Sequence, residues 1–220
     1  SLSSPPSGSI YNCCSLMANY QPSFTWTAIE SFSKCNLLFS TYQTDFSKPL
    51  AKATVSGTQN SWKPSSGVWK KILTSSYNNE NIQDIYWKII GIKSDKTTSE
   101  SNVGSFRIGM PQAVIINSPA DGSVLPSGTP PTFDFNSNCN VKFTLEFSPL
   151  SGFSDSGKIK GFTYTVKDPN TEKTLHKTLT LGQWTTVKNL VGTGVGYFRI
   201  KAWDSLNRMT ISEERSFTIQ

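Results

Sequence analysis

Apolar and polar residues alternate with period two along much of this chain. Phe24 and Trp26 flank Thr25, and Leu37 and Phe39 flank Leu38. Phe143, Leu145 and Phe147 alternate with Thr144 and Glu146, and Phe162, Tyr164 and Val166 with Thr163 and Thr165. Such alternation turns one set of side chains toward a core and the other toward water, so these runs predict half-buried strands. No window carries a convincing period of 3.6. The stretch 77–84 comes nearest to a helix, but it holds Asn78, Asn79 and Asn81 and reads as a loop. The segment 162–181 predicts a hairpin: Asp168-Pro169-Asn170-Thr171 supplies turn chemistry, and Leu175, Leu179 and Leu181 line the returning strand.

The pattern is written twice. Tyr86-Trp87-Lys88-Ile89 recurs as Tyr197-Phe198-Arg199-Ile200, and Ser105-Phe106-Arg107-Ile108 as Ser216-Phe217-Thr218-Ile219, both 111 positions on. Upstream, Ser4-Pro5 with Gly8-Ser9-Ile10 matches Ser118-Pro119 with Gly122-Ser123-Val124. Phe24 and Trp26 match Phe133 and Phe135, Leu37 and Phe39 match Leu145 and Phe147, and Trp69 with Ile72 matches Trp184 with Val187. The offset drifts between 107 and 115, as short loop insertions make it do. A repeat of this length is a whole domain and not a solenoid unit. The expected organisation is two copies of one β module, residues 1–110 and 111–220, joined through Gly109-Met110-Pro111-Gln112, where Pro111 stiffens a short connector.

Composition agrees. Aromatics make up 12% of the 220 residues and charged residues only 16%, below the usual quarter, so Ser, Thr and Asn cover the polar faces. About six or seven short strands per copy imply a two-sheet sandwich and not an open sheet. The expected fold class is all-β, two tandem immunoglobulin-like sandwiches.

Particular strings resemble a known family. Ile85-Tyr86-Trp87-Lys88-Ile89, followed by Asp95 and Ser105-Phe106-Arg107-Ile108, resembles the last two strands of the fibronectin type III-like repeats of bacterial cell-surface proteins. Tyr197-Phe198-Arg199-Ile200-Lys201-Ala202 is the closer match, and Pro119, Gly122 and Pro131-Thr132-Phe133-Asp134-Phe135 fit the first two strands. The position of the tyrosine that forms a corner in those repeats holds Ile85 and Gly196, so either the tyrosine is shifted by one residue or the corner is absent, which leaves a general immunoglobulin-like sandwich open. The resemblance implies spacing, adhesion or assembly outside the cell, partners that are other protein domains or copies of itself, and no catalysis.

Four cysteines, Cys13, Cys14, Cys35 and Cys139, are candidates for disulfide bonding, three in the first copy and one in the second. The preferred pairing joins Cys13 or Cys14 to Cys35, a bond of the kind that stabilises by roughly 2–4 kcal/mol. Cys139 is then left to pair across domains, pair with another chain or stay free, and four reduced thiols are the alternative. There is no Cys-x-x-Cys, and His176 is the only histidine, so no metal site is expected. His176 falls on the solvent face of its strand. Gly192-Thr193-Gly194-Val195-Gly196 precedes a strand, which excludes a dinucleotide loop and leaves a turn needing positive φ. No nucleophile elbow, converging carboxylates or calcium loop is present, so no catalytic residue and no cofactor is expected.

The net charge of +6 comes from dispersed lysines, which favour solubility over nucleic-acid binding. No apolar run is long enough to span a membrane. Trp62 and Tyr77 sit among turn residues and are the candidates for contact with a ligand or partner, a cell-surface glycan among them; folding back over the sandwich end is the plainer reading. The expected function is a non-catalytic structural or adhesive module, extracellular or on the cell surface: a spacer, adhesion segment or fibre subunit. A carbohydrate-binding module and accessory domains of a secreted enzyme are the alternatives.

Overall fold

The computed structural model describes residues 1–11, 21–75, 84–166 and 174–220 in full, and the backbone of 77–78 and 81–82. The chain divides into two compact units, Ser1–Met110 and Pro111–Gln220. Along the first run β1 (Leu2–Ser4), β2 (Ser9–Tyr11), β3 (Phe24–Trp26), β4 (Lys34–Ser40), β5 (Ala51–Ser56), β6 (Ser61–Trp62), α1 (Ser66–Ser75), β7 (Tyr77–Asn78), β8 (Asn81–Ile82), β9 (Ile85–Ile92), β10 (Thr98–Glu100) and β11 (Gly104–Ile108). Along the second run β12 (Ile116–Ser118), β13 (Ser123–Leu125), β14 (Thr132–Asn136), β15 (Lys142–Ser148), β16 (Lys160–Thr165), β17 (Thr174–Thr178), α2 (Leu181–Val191), β18 (Gly196–Trp203), β19 (Met209–Ile211) and β20 (Arg215–Ile219).

Each unit is a sandwich of two sheets with the same strand order. In the first, β1-β3-β6 forms one sheet and β2-β11-β9-β4-β5 the other, with β10 on β9. In the second, β12-β14-β17 faces β13-β20-β18-β15-β16, with β19 on β18. These are tandem immunoglobulin-like sandwiches of the fibronectin type III-like kind. The alternating aromatics fill the space between the sheets: Trp26, Trp87, Phe135 and Phe198 are 5%, 0%, 1% and 0% exposed. Burial of side chains this size contributes on the order of 1.5–3 kcal/mol each, and edge-to-face pairs such as Phe24–Trp87 and Phe133–Phe198, both at 5.0 Å, add a directional part.

The two copies also share small polar devices. The first strand leaves one sheet and joins the other through a Ser-Pro turn, Ser4-Pro5 and Ser118-Pro119, each with a cis peptide bond. Gly8 and Gly122 follow at φ +80° and +74°, the left-handed region that a side chain would strain. Their N–H groups donate to Ser105 O (2.8 Å) and Ser216 O (2.9 Å), while Ser9 Oγ and Ser123 Oγ close the turn onto Pro6 O (2.6 Å) and Ala120 O (2.7 Å). A second device replaces a missing rung of the ladder. Ile89 N–H donates to Ser101 Oγ at 3.0 Å and Ile200 N–H to Ser212 Oγ at 2.9 Å, while both serine amides donate back to the isoleucine carbonyls at 2.9 Å.

The structure departs from the sequence expectation in two places. The hairpin 162–181 does not exist. β16 pairs with β15, whereas β17 pairs with β14 in the opposite sheet. The turn residues 168–171 lie outside the described residues. Two helices replace expected strand and loop. α2 starts at a capping box, Thr180 with Gln183, and buries Trp184, Val187 and Val191 at helical spacing. Leu181 is therefore a helix residue, 62% exposed, not a strand residue. α1 buries Trp69, Ile72 and Leu73. The residues at the corner-tyrosine position, Ile85 and Gly196, are buried in β9 and β18. In the second unit Trp184 Nε1 of α2 donates to Pro126 O at 3.0 Å.

Candidate functional site

The units differ at one end of the sandwich, and the difference there begins with a single residue. By register Cys35 on β4 lies opposite Gly91 on β9, and Phe143 on β15 lies opposite Ala202 on β18. Across the core, Trp26 and Phe135 occupy corresponding places, opposite Leu2 and Ile116. In the second unit the Phe135 and Phe143 rings meet at 5.3 Å and fill that end. In the first, a thiol stands where the second ring is.

An open cleft occupies this place, floored by Trp26, Cys35, Ile89 and Gly91 and rimmed by Thr27, Ile29, Phe32 and the 99–101 strand end. The 27–33 loop partly covers it. Phe32 lies on Gly91 so closely that an alanine Cβ there would come within 2.5–2.6 Å of the ring. Ile29, 86% exposed, holds an apolar side chain at the mouth. Trp26 is 5% exposed, and its indole N–H is buried without an acceptor. Trp69 and Trp87 Nε1 are buried in the same way, each at a cost on the order of 1–3 kcal/mol. Burial pushes the Cys35 thiol above its ordinary pKa, so it is a neutral S–H and a poor nucleophile. At the rim Glu100 is paired with Lys88 at 2.6 Å.

Cys35 does not pair as expected. Cys35 is a buried free thiol, which overturns its preferred bond to Cys13 or Cys14: its side chain is committed to the core of β4. Cys139 is disulfide-bonded, and Cys35 is not its partner. Cys13 and Cys14 lie outside the described residues, as does the Tyr77 side chain. Trp62 is not on a loop. It belongs to β6, pairs with Phe24, and is half-buried with its ring 5.8 Å from Phe24 and 5.7 Å from Phe39. His176 lies on the outer face of β17, as its alternation implied, with Nδ1 2.6 Å from Asp134 Oδ1 on the neighbouring strand.

Other ionic groups hold the sandwiches together. Glu146 sits between Arg199 and Lys201, each at 2.8 Å, and the Arg199 guanidinium stacks 4.0 Å above Phe153. In the first unit Lys88 covers Phe46 at 4.9 Å in the corresponding place. Asp204 and Arg208 form a fully buried pair at 2.6 Å in the β18–β19 hairpin. Asp45, Asp95 and Asp121 are held below the usual carboxylate range. For Asp45 and Asp95 the main cause is a side-chain hydrogen bond from Ser47 or Thr97; for Asp121 it is the Ser216 backbone N–H. Among the described residues no group of His, Cys, Asp and Glu converges as a metal site. No helix among them is long and apolar enough to cross a membrane.

No family model and no curated protein matches the chain. Similar solved structures include the fibronectin(III)-like modules of CbhA from Clostridium thermocellum, at 12% identity over all of this chain and 92% of that one, with a TM-score of 0.28. A 1.5-MDa bacterial ice-binding adhesin, described for its retention on a host cell surface, is similar at 8% identity over 96% of this chain and 61% of the other, TM-score 0.34. The alpha-L-rhamnosidase of Dictyoglumus thermophilum is similar at 11% identity over 93% of this chain and 27% of that one, TM-score 0.31. With TM-scores this low, the fold assignment stands on the strand order of the two units.

Proposed function

We propose that this chain is a non-catalytic structural or adhesive module of an extracellular or cell-surface protein, acting as spacer, adhesion segment or fibre subunit. One observation carries the reading: what the two copies have in common is scaffold. They share the core aromatics, the Ser-Pro-x-x-Gly turn, the serine that completes the strand ladder, the helix tryptophan and the cation over the aromatic ring on the outer sheet face. The exposed positions between these devices have diverged, as they do where the repeated property is a stable unit of fixed length. Chemistry would instead require a cluster of polar side chains kept together on the surface.

Brief protease treatment of intact source cells, with mass spectrometry of the released peptides, tests the location. Peptides from residues 27–60 and 111–166 should appear in the released fraction. Their recovery only after lysis overturns the surface assignment. Exchanging the pair within its parent protein for unrelated tandem sandwiches of equal length tests the role: a spacer tolerates the exchange, whereas an adhesive segment loses cell attachment.

A further inference from the structure

We propose that the two units resist tension unequally, so that a pull along the chain opens Ser1–Met110 before Pro111–Gln220. This deepens the spacer and adhesion reading and rests on it for its use, although its test needs only the chain. Strand order sets how tension acts. In each unit an early strand runs parallel to the last one. β2 lies on β11 through Ser9↔Phe106, Ile10↔Arg107 and Tyr11↔Ile108, and β13 on β20 through Ser123↔Phe217, Val124↔Thr218 and Leu125↔Ile219. In a parallel pair, the entry to one strand and the exit from the other lie at opposite ends. Pulling a unit by its two chain ends therefore slides one strand along the other and loads the ladder bonds together. The barrier to opening sits in this pair and in the side chains that fasten it.

Those fastenings differ between the copies. Asp121 and Ser7 hold the same place, each just ahead of the turn glycine. Asp121 Oδ1 accepts from Ser216 N–H at 2.7 Å and from Ser216 Oγ at 2.8 Å. Ser7 Oγ accepts from Ser105 N–H at 3.3 Å and lies 3.2 Å from Ser105 Oγ, with no charge on either side. Beside these serines stand Arg215 and Gly104. Arg215 donates through Nη1 to Pro119 O and through Nη2 to Ile116 O, both at 2.7 Å, and Glu213 holds the guanidinium at 2.6 Å. Both carbonyls belong to the segment that sliding would draw away from β20. Gly104 offers no such arm, and a Cβ there would come within 2.7 Å of Trp87 Nε1. Hydrogen bonds with an ionised partner are roughly twice as strong as neutral ones, so the second unit is the harder to open.

The test is force-clamp extension of the full chain between its two ends, in reducing buffer so that the Cys139 disulfide carries no tension. Forced opening reads the unfolding rate, and two steps of unequal rate are expected. Arg215→Met should speed the slow step by about 10- to 100-fold, the worth of hydrogen bonds from a charged donor, and leave the fast step unchanged. Ser7→Asp, on an exposed turn, should slow the fast step. Should Arg215→Met not fold, Asp121→Ser replaces it and should also speed the slow step. With handles moved to Thr144 and Lys201, directly opposite each other on antiparallel strands, Arg215→Met should leave the opening rate nearly unchanged. Equal rates for the two steps in the wild-type chain overturn the proposal. So does a folded Arg215→Met or Asp121→Ser chain whose slow step is not faster, or an Arg215→Met effect just as large with the moved handles. None of these results bears on surface location, which the protease experiment decides separately.

Discussion

The serine that replaces a ladder rung allows a quantitative test, because the molecule contains it twice in different degrees of burial. In the second unit Ser212 Oγ accepts from the Ile200 N–H at 2.9 Å and donates to Glu213 O at 2.8 Å. Ser212 is 8% exposed and Ile200 0%. Ser212→Ala removes the acceptor and leaves the Ile200 amide buried with nothing to bond. The full desolvation penalty applies, about 1–3 kcal/mol, and burial this complete puts the expectation near 2. For a domain of this size about 1 kcal/mol corresponds to roughly 4 °C in Tm, so the second unit should melt about 8 °C lower. In the first unit Ser101 makes the same bond to Ile89 at 3.0 Å, but the site is only part-buried. Water can take over there, and Ser101→Ala should cost about 1 kcal/mol. Ser123→Ala, which removes an exposed bond to Ala120 O, is the control and should fall within about 0.5 kcal/mol of wild type. Urea unfolding with amide hydrogen exchange read at Ile89 and Ile200 checks all three. If both substitutions cost less than about 0.5 kcal/mol, or if Ser101→Ala costs more than Ser212→Ala, the account of the serine as a buried acceptor is wrong.

Three further outcomes are expected. Asp204→Ala strands the Arg208 guanidinium in the core and should destabilise the second unit by about 3–5 kcal/mol, whereas the double change with Arg208→Leu should recover much of that loss; no recovery in urea melts would refute the pairing account. Lys96 sits at φ +70° where the second copy has Asn207 at +63°, so Lys96→Asn should raise the first unit's stability by about 0.5–1 kcal/mol, read as a higher urea midpoint. Asp121 is held below its ordinary pKa of 3.8 by the Ser216 amide and hydroxyl, so its stabilising contribution is complete above that pH and disappears as pH falls through the folded-state value; the stability gap between wild type and Asp121→Asn should close in acid, and a gap constant from pH 6 to pH 2.5 would refute it.

The core was legible because alternation and duplication are both one-dimensional signals. Leu145 and Phe147 declare their face by spacing alone, and Leu37 and Phe39, 108 positions earlier, confirm the assignment. The hairpin 162–181 misled for a related reason. Alternation says which face of a strand is buried but not which sheet it joins, and Phe162, Tyr164 and Leu175 satisfy the pattern equally well in one sheet or in two. The α2 signal was available, since Thr180 and Gln183 form a capping box ahead of Trp184, Val187 and Val191. It was hidden because Leu175, Leu179 and Leu181 are all odd-numbered and so extend the strand pattern across the boundary.

The cleft could not be read from either copy alone, because a cysteine among aromatics is an ordinary core residue. Its meaning comes from the comparison: Cys35 is small where Phe143 is large, Gly91 is bare where Ala202 carries a methyl, and Trp26 keeps an N–H where Phe135 has none. These are three correlated departures at one place in a pattern otherwise conserved for packing. Simple drift in a core lowers stability by leaving a void, and a void is closed most cheaply by a larger neighbour. Trp26 is larger than Phe135, and Phe32 leans in over Gly91, so both refill part of the space, yet an open cleft is left. A duplicated domain thus separates two kinds of information: positions that agree describe how the sandwich stands, and a cluster that disagrees together marks where one copy has been released from that constraint.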